Sequence, residues 1–451
     1  MIPQPITKVR TLAMAGAFSV TTIMAGSSIS VATPPGLNQG SGQASQAVLE
    51  HIDQLQTIAE SNGGHREAGS RGHKESVSYF ERVLRDAGLD VHTEPFEFLY
   101  SKPERADLAV GGERFDLVPA TFSPSTDSPL RAPAHFLSGE GCSEAEYSGV
   151  PRGSILVLKE PSDCTVQQQH GMASESGAAA SLVASDDDVP PYIWLDGAGS
   201  RDIPTAGIAQ STAETIRTSS APVSMNLDMV TERRSSVNLI AESPGTEDSV
   251  IELGAHLDSV PQGPGINDNA VSAAILLEQA IASDATPHRK THRFMFWSGE
   301  EFAFAGSRSY LRHVENAESI EAYINLELVA APNSGFFYAS GDGSRPSRII
   351  ETAIIEGYRD LGLDAERDPN ELPRSDDSSY QDAGIPTGGF WGGSFEMKTQ
   401  QQAGKWGGTA GEPFDSCYHQ PCDTADRIDE TKVSITADVV DHTLKTTDEE
   451  L

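Results

Sequence analysis

Short apolar strands and helical segments alternate along the second half of the chain, and this alternation limits the folds available to it. The strand patterns cover 250–255, 293–298 and 322–327, and the helix patterns cover 271–281, 302–313 and 347–361. Strands separated by helices of this length pair in parallel, because the helical crossover returns the chain to the same end of the sheet. The sequence therefore predicts an α/β fold with a mixed, mostly parallel sheet and helices on both faces.

The residues before this alternation divide into two parts. Helical patterns start near Ser45 and Lys74, and an alternating strand follows at 91–98. Between 106 and 232, short apolar runs alternate with small-residue segments, which indicates an inserted β-rich domain with one or two helices. The predicted organisation is a discontinuous main domain at 46–105 and 233–445, the insert at 106–232, and a tail at 446–451.

The first 32 residues have the pattern of an export signal. Lys8 and Arg10 precede an apolar stretch at 11–25, and a small-residue cleavage site ends at Ala32. This stretch is short and interrupted by Ser and Thr, which disfavours a membrane anchor. Residues 33–45 are rich in Pro, Gly, Ser and Gln and are predicted to form a flexible leader. We therefore expect a secreted protein that does not associate with a membrane.

Four cysteines and a strong negative charge agree with an extracellular compartment. Cys417 and Cys422 are close in sequence, as are Cys142 and Cys164, so local pairing predicts two disulfides, although four cysteines admit other connectivities. The formal net charge of −34 makes nucleic acid an unsuitable partner, because phosphates would be repelled. The same acidity fits either a high-salt habitat or plain solubility outside the cell.

Five separated stretches offer side chains that bind metals or handle protons. They contain His256 with Asp258, Asp268, Glu300 with Glu301, Glu327, and Tyr418 with His419. In an open α/β sheet, ligands bind beyond the carboxyl ends of the strands, where most of these residues are expected. Two histidines, a carboxylate that can bridge, two further carboxylates and a spare glutamate are what two zinc ions need to activate one water.

Each of these residues also has an ordinary structural explanation. His256 could lie near a surface turn, Asp268 could cap a helix, and Glu327 could pair with an arginine. Only the combination predicts a metal site. In such a site one glutamate of the adjacent pair binds metal and the other accepts a proton, and we assign Glu301 to the first role and Glu300 to the second. Asp258 would orient the ring of His256.

The motifs resemble those of the co-catalytic di-zinc aminopeptidases, a family that includes secreted bacterial aminopeptidases, with glutamate carboxypeptidase and the transferrin receptor as relatives. The segments that carry this resemblance are 254–259, 267–270, 300–301, 374–376 and 418–423. The insert resembles a protease-associated (PA) domain in the short motifs around Cys142, Ile155, Cys164 and Gly177.

The resemblance implies a secreted zinc aminopeptidase that acts on peptides with a free N-terminus. It implies two zinc ions, whose ligand sets would be His256, Asp268 and Glu327, and Asp268, Glu301 and His419. Glu300 would be the general acid and base, and Tyr418 would donate a hydrogen bond to the developing oxyanion. Glu327 and Arg374 would lie near the substrate. Calcium is a further candidate ligand.

Two positions depart from the family pattern. Glu327 stands where the aminopeptidases usually have Asp, and Asp377 stands where their Ser-Asp-His motif has His. The longer Glu327 leaves a glutaminyl cyclase as an alternative. A carboxypeptidase of the same fold and a metal-free binding protein are the others. The sequence does not predict the preferred N-terminal residue or the oligomeric state.

Overall fold

The computed structural model describes residues 41–186, 188–195, 203–369 and 375–451, with side chains from Gln46 onward. The export signal predicted at 1–32 and most of the predicted leader lie outside the described residues, as does Arg374. None of the helices in the described ranges combines the length and the apolar character needed to cross a bilayer.

The helices of the described chain include two near its start and a long one at its end. They are α1 Ser41–Ser61, α2 Arg71–Ala87, α3 Val166–Glu175, α4 Gln210–Thr218, α5 Val271–Asp284, α6 Ala305–His313, α7 Arg345–Asp360, α8 Asp377–Asp382, α9 Gln400–Trp406 and α10 Glu430–Glu450. Short 3₁₀ turns lie at Glu144–Tyr147, Glu300–Phe302, Ala317–Ser319 and Ala425–Arg427.

The strands fall into one large and one small sheet. They are β1 Asp90–Val110, β2 Glu113–Phe115, β3 Val118–Pro119, β4 Leu130–Ala132, β5 Ala134–Phe136, β6 Ile155–Lys159, β7 Ala180–Ala184, β8 Thr205–Ile208, β9 Val223–Ser243, β10 Val250–His256, β11 Thr291–Trp297, β12 Ile320–Glu327, β13 Phe337–Ala339, β14 Glu366–Arg367 and β15 Thr387–Trp391.

The large sheet has the order β14-β13-β15-β12-β10-β11-β9-β1-β2, and β4 pairs with β9 as well. Its centre is parallel, because β10 pairs in parallel with β11 and β12, and β12 pairs in parallel with β15. The outer strands β9 and β13 are antiparallel to their neighbours β11 and β15. The predicted class, a mixed and mostly parallel α/β fold, is confirmed.

Helices cover both faces of this sheet. Every residue of β10 is buried, as expected for a parallel strand packed on both sides. One face packs against the helices α1, α2, α5, α7 and α10, and α5 is buried on nearly all sides. The other face carries Met295 and Trp297, which pack with Tyr310 of α6 and Tyr380 of α8. Burial on both faces fixes the register of the central strands, and with it the positions of the loops that follow them.

The sequence marks the ends of α2 clearly. The Ser70 side chain accepts a hydrogen bond from the His73 backbone N–H at the start of the helix, which satisfies one of the free N–H groups there. At the other end, Gly88 has a φ of 104° and lies in the left-handed region that favours glycine. The chain then enters β1 at Asp90, two residues after Gly88.

The small sheet has the order β3-β8-β7-β6-β5 and lies within the range predicted as an insert. Its apolar core includes Ile155 and Leu182 together with Leu108 of β1 and Met225 of β9, and the predicted disulfide between Cys142 and Cys164 joins two loops of this region. The long strands β1 and β9 pair along almost their whole length and run through both predicted boundaries of the insert. The small sheet is therefore joined to the main sheet by a continuous two-stranded ribbon.

Two terminal segments differ from the prediction. Helix α1 begins at Ser41, inside the range predicted as a flexible leader. Helix α10 continues to Glu450, so the residues 446–451 predicted as a tail form its end, and Asp448 is buried there. The helix continues because its apolar face still packs against the core through Val440 and Leu444.

Candidate metal centre

The predicted donors gather at the carboxyl edge of the parallel strands. His256 is the last residue of β10 and Glu327 is the last residue of β12. Glu300 and Glu301 begin a 3₁₀ turn that two residues separate from the end of β11, and Asp268 lies on the loop between β10 and α5. Because neighbouring parallel strands end at the same edge, side chains that are far apart in sequence come together here.

His419 reaches this edge from a separate loop. The disulfide between Cys417 and Cys422 closes the loop, and the His419 backbone has a φ of 56°, a conformation that non-glycine residues rarely adopt. The rings of Tyr418 and His419 stack, with centroids 3.8 Å apart. The predicted disulfide is thus present, and it closes the loop that carries both residues.

Asp268 lies between the two histidines. Its Oδ1 is 3.2 Å from His256 Nε2, and its Oδ2 is 3.1 Å from His419 Nε2. The outer carboxylates complete two sets: Glu327 Oε1 lies 3.2 Å from His256 Nε2, and Glu301 Oε2 lies 3.2 Å from His419 Nε2. These contacts bring together the donors of both sets that the resemblance implies, with the two oxygens of Asp268 facing different histidines.

Other groupings of the same donors are also compact. His256, Glu300 and Glu327 have donor atoms within 4.8 Å of one another, as do His256, Asp268 and Glu301. These groupings differ from the two sets above because all the donors crowd around His256. The contacts of 3.1–3.2 Å in the two sets that include Asp268 are shorter than the 4.0 Å between His256 Nε2 and Glu300 Oε2.

The carboxylates of the centre favour the binding of cations. Burial opposes protonation of His256, but the carboxylates of Glu327 and Glu300 outweigh it and raise the pKa of His256 well above its usual value. Burial raises the pKa of Glu300 well above its usual value and raises the pKa of Glu301 as well. Four buried carboxylates around two imidazoles are an excess of negative charge, which is costly away from water unless cations neutralise it.

Two buried oxygen atoms test whether metal ions fit. Glu301 Oε1 has no hydrogen-bond partner, and Asp268 Oδ2 has only the contact with His419 Nε2, although buried polar groups are nearly always paired. Both belong to the set around His419, and Asp268 Oδ2 faces His419 Nε2. Carboxylate oxygens and imidazole nitrogens are also the ligand types that zinc prefers. The donor set therefore fits divalent metal ions.

Asp258 contacts His256 through its backbone rather than its carboxylate. His256 Nδ1 lies 3.1 Å from the Asp258 main-chain oxygen and 3.7 Å from Oδ1. The Nδ1–H therefore donates to the carbonyl, which leaves Nε2 free to bind metal. The carboxylate instead accepts a hydrogen bond of 3.4 Å from the backbone N–H of Glu300, and so links the loops that follow β10 and β11.

Arg66 is a buried residue of this centre that the sequence analysis missed. Its side chain is 0% exposed and donates to the main-chain oxygens of Leu257, Pro264 and Gly265, while its backbone N–H donates to Ser259 Oγ. Arg66 therefore fixes the loop between His256 and Asp268. A single arginine whose partners are backbone carbonyls leaves no pattern in a sequence.

The asparagines beside Asp268 anchor the same loop. Asn267 Nδ2 donates to Asp415 Oδ2 at 2.7 Å, and Asn269 Nδ2 donates to Glu327 Oε2 at 3.1 Å. Asp423 accepts hydrogen bonds from the backbone N–H groups of Asn267 and Asp268, at 2.7 Å and 3.1 Å. The sequence did contain a signal here, because Asn267 and Asn269 flank Asp268 in one short motif.

Contacts with neighbouring side chains hold both oxygens of the longer side chain at position 327. Glu327 Oε2 accepts a hydrogen bond of 2.7 Å from Ser375 Oγ, while Oε1 faces His256. Asp377, which stands at the position of the family histidine, is buried, and burial raises its pKa to about 7. Asp376 is also buried, and its Oδ1 accepts a hydrogen bond of 2.5 Å from Ser307 Oγ.

Fold and donor set together define a class: an α/β protein with a centre suited to divalent metal ions. A profile described as Peptidase family M28 matches residues 238–444. The chain is 35% identical over 415 residues to "Probable lipoprotein aminopeptidase LpqL" of Mycobacterium tuberculosis, which covers 87% of this chain and 82% of that protein. The chain belongs to peptidase family M28.

Further relatives agree with this assignment. The chain is 30% identical to "Aminopeptidase" of Pseudomonas aeruginosa, over 91% of this chain and 82% of that protein. Among solved structures, the aminopeptidase from Aneurinibacillus sp. strain AM-1 has a TM-score of 0.73 at 22% identity, over 90% of this chain and 95% of that chain. The zinc aminopeptidase from Bacillus subtilis has a TM-score of 0.66 at 23% identity, over 89% and 94%. These structural matches show the same fold.

Proposed function

We propose that this metalloaminopeptidase of family M28 uses two zinc ions and a glutamate base to hydrolyse the first peptide bond of peptides with a free N-terminus. The relatives named as aminopeptidases, at 30% and 35% identity over most of both chains, support the reaction. The single observation that supports two ions is Asp268, whose two oxygens each lie 3.1–3.2 Å from a different histidine.

The five proposed metal ligands form two sets. His256 and Glu327 would hold one ion, His419 and Glu301 would hold the other, and Asp268 belongs to both sets. Zinc bound there would supply Lewis-acid chemistry, namely polarisation of the scissile carbonyl and a lowered pKa of the attacking water. The chain's own contribution is to keep the five donors in place, through Arg66 and the other polar groups around them.

Glu300 is the residue that moves the proton. It is adjacent to the metal ligand Glu301, yet its nearest approach to His256 Nε2 is 4.0 Å, so its carboxylate is free to accept a proton. Its side chain is 11% exposed, against 6% for Glu301, which leaves it open to substrate. Glu300 takes a proton from the attacking water and returns it to the leaving amine.

Tyr418 and the acidic groups position the substrate. Burial and the nearby carboxylates raise the pKa of Tyr418 well above its usual value, so its hydroxyl keeps the proton that it donates to the developing oxyanion. The N-terminal ammonium group of the substrate binds beside Glu327, among the buried carboxyl groups of Asp376 and Asp377. Recognition of this positive charge makes the enzyme an exopeptidase.

The insert at 106–232 and the compartment complete the proposal. We assign the insert as a PA-like domain, since it carries a separate sheet that packs on the ribbon formed by β1 and β9.

We place the enzyme outside the cytoplasm, as a secreted protein, because its four cysteines form two disulfides, which persist in oxidising compartments. The relative named as a lipoprotein aminopeptidase also supports a location outside the cytoplasm.

A panel of aminoacyl chromogenic substrates tests the function. The purified protein should release the chromophore from substrates with a free amine, should lose this activity with a chelator, and should regain it with Zn²⁺. Acetylation of the substrate amine should abolish turnover. Turnover of the acetylated substrates, or pyroglutamate formation from an N-terminal Gln peptide in place of hydrolysis, would contradict the proposal.

A further inference from the structure

An exposed aromatic side chain of the insert lies beside the metal centre. Tyr192 belongs to the segment between β7 and β8, and it is 62% exposed. Its ring centroid lies 6.3 Å from that of His419, and the two ring planes meet at 70°. Single exposed apolar residues are common on protein surfaces, so the location of Tyr192 is more informative than its exposure. The insert thus brings an aromatic ring next to a proposed metal ligand of the main domain.

Contacts within the insert hold the ring of Tyr192 in place. Its hydroxyl accepts a hydrogen bond of 3.3 Å from Thr121 Oγ1, and the Thr121 backbone N–H donates to the Ile193 main-chain oxygen at 2.9 Å. The ring centroid also lies 6.2 Å from that of Trp194, which contacts Phe122 edge to face at 5.7 Å. A side chain that is ordered before binding loses little conformational entropy when a ligand contacts it.

Trp194 connects this segment to the main domain. It packs against an apolar cluster that includes Phe98 of β1 and Phe302. Phe302 is the last residue of the 3₁₀ turn Glu300–Phe302, which carries the proposed base and one proposed ligand. Apolar packing between the insert and this turn therefore sets the position of Tyr192 relative to the metal centre.

The metal centre is most open to solvent on the side of His419. The His419 side chain is 26% exposed, against 1% for His256 and 5% for Glu327. Glu327, beside which the proposed function places the substrate amine, therefore lies at the closed end of the centre. A peptide whose amine is bound at this closed end extends toward solvent past His419, and Tyr192 lies on that side.

We propose that Tyr192 forms a wall of the subsite for the second residue of the substrate and favours apolar side chains there, aromatic ones above all. This assignment rests on the proposed aminopeptidase function, which places the first residue beside Glu327. Consecutive Cα atoms of a peptide lie about 3.8 Å apart, so the second residue starts one such step further along the chain, on the His419 side. The exposed ring gives it a surface for stacked or edge-to-face contact.

The ring of Tyr192, and not its hydroxyl, is the group that recognises the substrate. The hydroxyl already contacts Thr121, whereas the ring retains most of its accessible surface. Contact with that surface removes apolar area of both partners from water, which favours binding of large apolar side chains over small polar ones. Tyr192→Phe should therefore retain the preference, and Tyr192→Ala should lose it.

Two series of peptides test the assignment on the zinc-loaded, full-length protein. The first series varies the second residue, as in Leu-Phe-Gly and Leu-Ser-Gly, and the second varies the first residue, as in Leu-Ala-Gly and Ala-Ala-Gly. We expect wild type and Tyr192→Phe to favour Leu-Phe-Gly over Leu-Ser-Gly by about 10-fold in kcat/KM. In Tyr192→Ala this ratio should fall to within about twofold of one, mainly through a higher KM for Leu-Phe-Gly. The ratio within the second series should not change.

The outcomes separate this assignment from the proposed function. A wild-type ratio near one in the first series, or a ratio that persists in Tyr192→Ala, would overturn the role of Tyr192 and leave the aminopeptidase function intact. A changed ratio in the second series alone would place the ring beside the first side chain and overturn the assignment as well. Failure of the wild type to cleave either series would overturn the proposed function, and the assignment with it. If Tyr192→Ala does not fold, Tyr192→Gln removes the ring and gives the same readout.

Discussion

Similar residue types lie near the two ends of β11, but their buried polar atoms differ in how completely they are hydrogen-bonded. At the carboxyl end, the buried Glu301 Oε1 has no hydrogen-bond partner, and Asp268 Oδ2 contacts only His419 Nε2. At the amino end, both oxygens of Asp448, near the end of α10, accept backbone hydrogen bonds, and each ring nitrogen of His288 and His292 has a partner. The carboxyl end therefore depends on cations for charge balance, and the amino end can fold without one.

This difference separates a site built for chemistry from one built for stability. Unpaired buried carboxylates raise the free energy of the folded protein in the absence of metal ions. Such a cost is tolerated at sites where the ions are needed for function. A cluster with every group paired gains less when an ion binds. The effects of substitutions should accordingly be large at the carboxyl end of the strands and small at the amino end.

The largest effect on activity is expected for Glu300→Gln. This change removes the group that accepts the proton while it preserves size and the metal ligands, so kcat should fall by about 10²–10⁴-fold with zinc content unchanged. Steady-state kinetics and metal analysis on the same sample measure both. Glu318→Gln, at an exposed glutamate, is the control. A near-normal kcat would remove Glu300 from its role.

Asp268→Asn should weaken metal binding at both catalytic positions. The substitution removes the negative charge shared by the two ion sites, and we expect zinc affinity to fall by at least about 100-fold, with activity recovered only in part by excess Zn²⁺. Competition with a chelator of known affinity measures this. Asp53→Asn, at an exposed position of α1, serves as the control. Retention of both ions at wild-type affinity would show that Asp268 is not a shared ligand.

Arg66→Met should destabilise the protein and disturb the catalytic loop. The buried carbonyl of Pro264 would lose its Arg66 donor and Gly265 would keep only the Ala270 N–H, at a cost of about 3 kcal/mol in the free energy of unfolding. Urea denaturation of the metal-free protein measures this cost. Arg71→Met, at an exposed arginine on α2, should change stability by less than about 0.5 kcal/mol. Equal stabilities of the two variants would show that Arg66 does not hold the loop.

The smallest effects are expected at the amino end. Asp448→Asn should cost about 1 kcal/mol in the metal-free protein, because the backbone N–H groups of Arg289 and Lys290 then share one oxygen instead of two. Urea denaturation of the metal-free wild type and variant measures this cost. Equal stabilities of the two proteins would show that Asp448 does not hold the loop before β11.

The sequence predicts the main domain well because its elements are long and periodic. The strands at 250–255, 293–298 and 322–327 lie within two residues of β10, β11 and β12, since apolar runs in a buried parallel sheet are easy to recognise. The strand predicted at 91–98 is much longer, 90–110, because its pairing with β9 depends on residues more than a hundred positions away. Partners at that distance leave no local pattern.

The helix predicted at 302–313 starts later, at Ala305. The backbone at Ala303 and Phe304 is in the left-handed region, which no apolar pattern reveals, and it turns the chain sharply after the two glutamates. That these residues meet at one edge of the sheet could be predicted, because metal-binding residue types follow several of its strands and only their combination is informative. Arg66 could not, because backbone carbonyls are its only side-chain partners among the described hydrogen bonds.

Helix α1 has a consequence for the maturation of the enzyme. Val48, Ile52 and Leu55 of α1 are buried against the core, and the chain then leads directly to Arg66 beneath the catalytic loop. A processing protease that trimmed the N-terminus past Val48 would open the hydrophobic core as well as shorten the chain. Proteolytic maturation therefore has a fixed downstream limit, and N-terminal sequencing of the active enzyme should find its first residue before that helix turn.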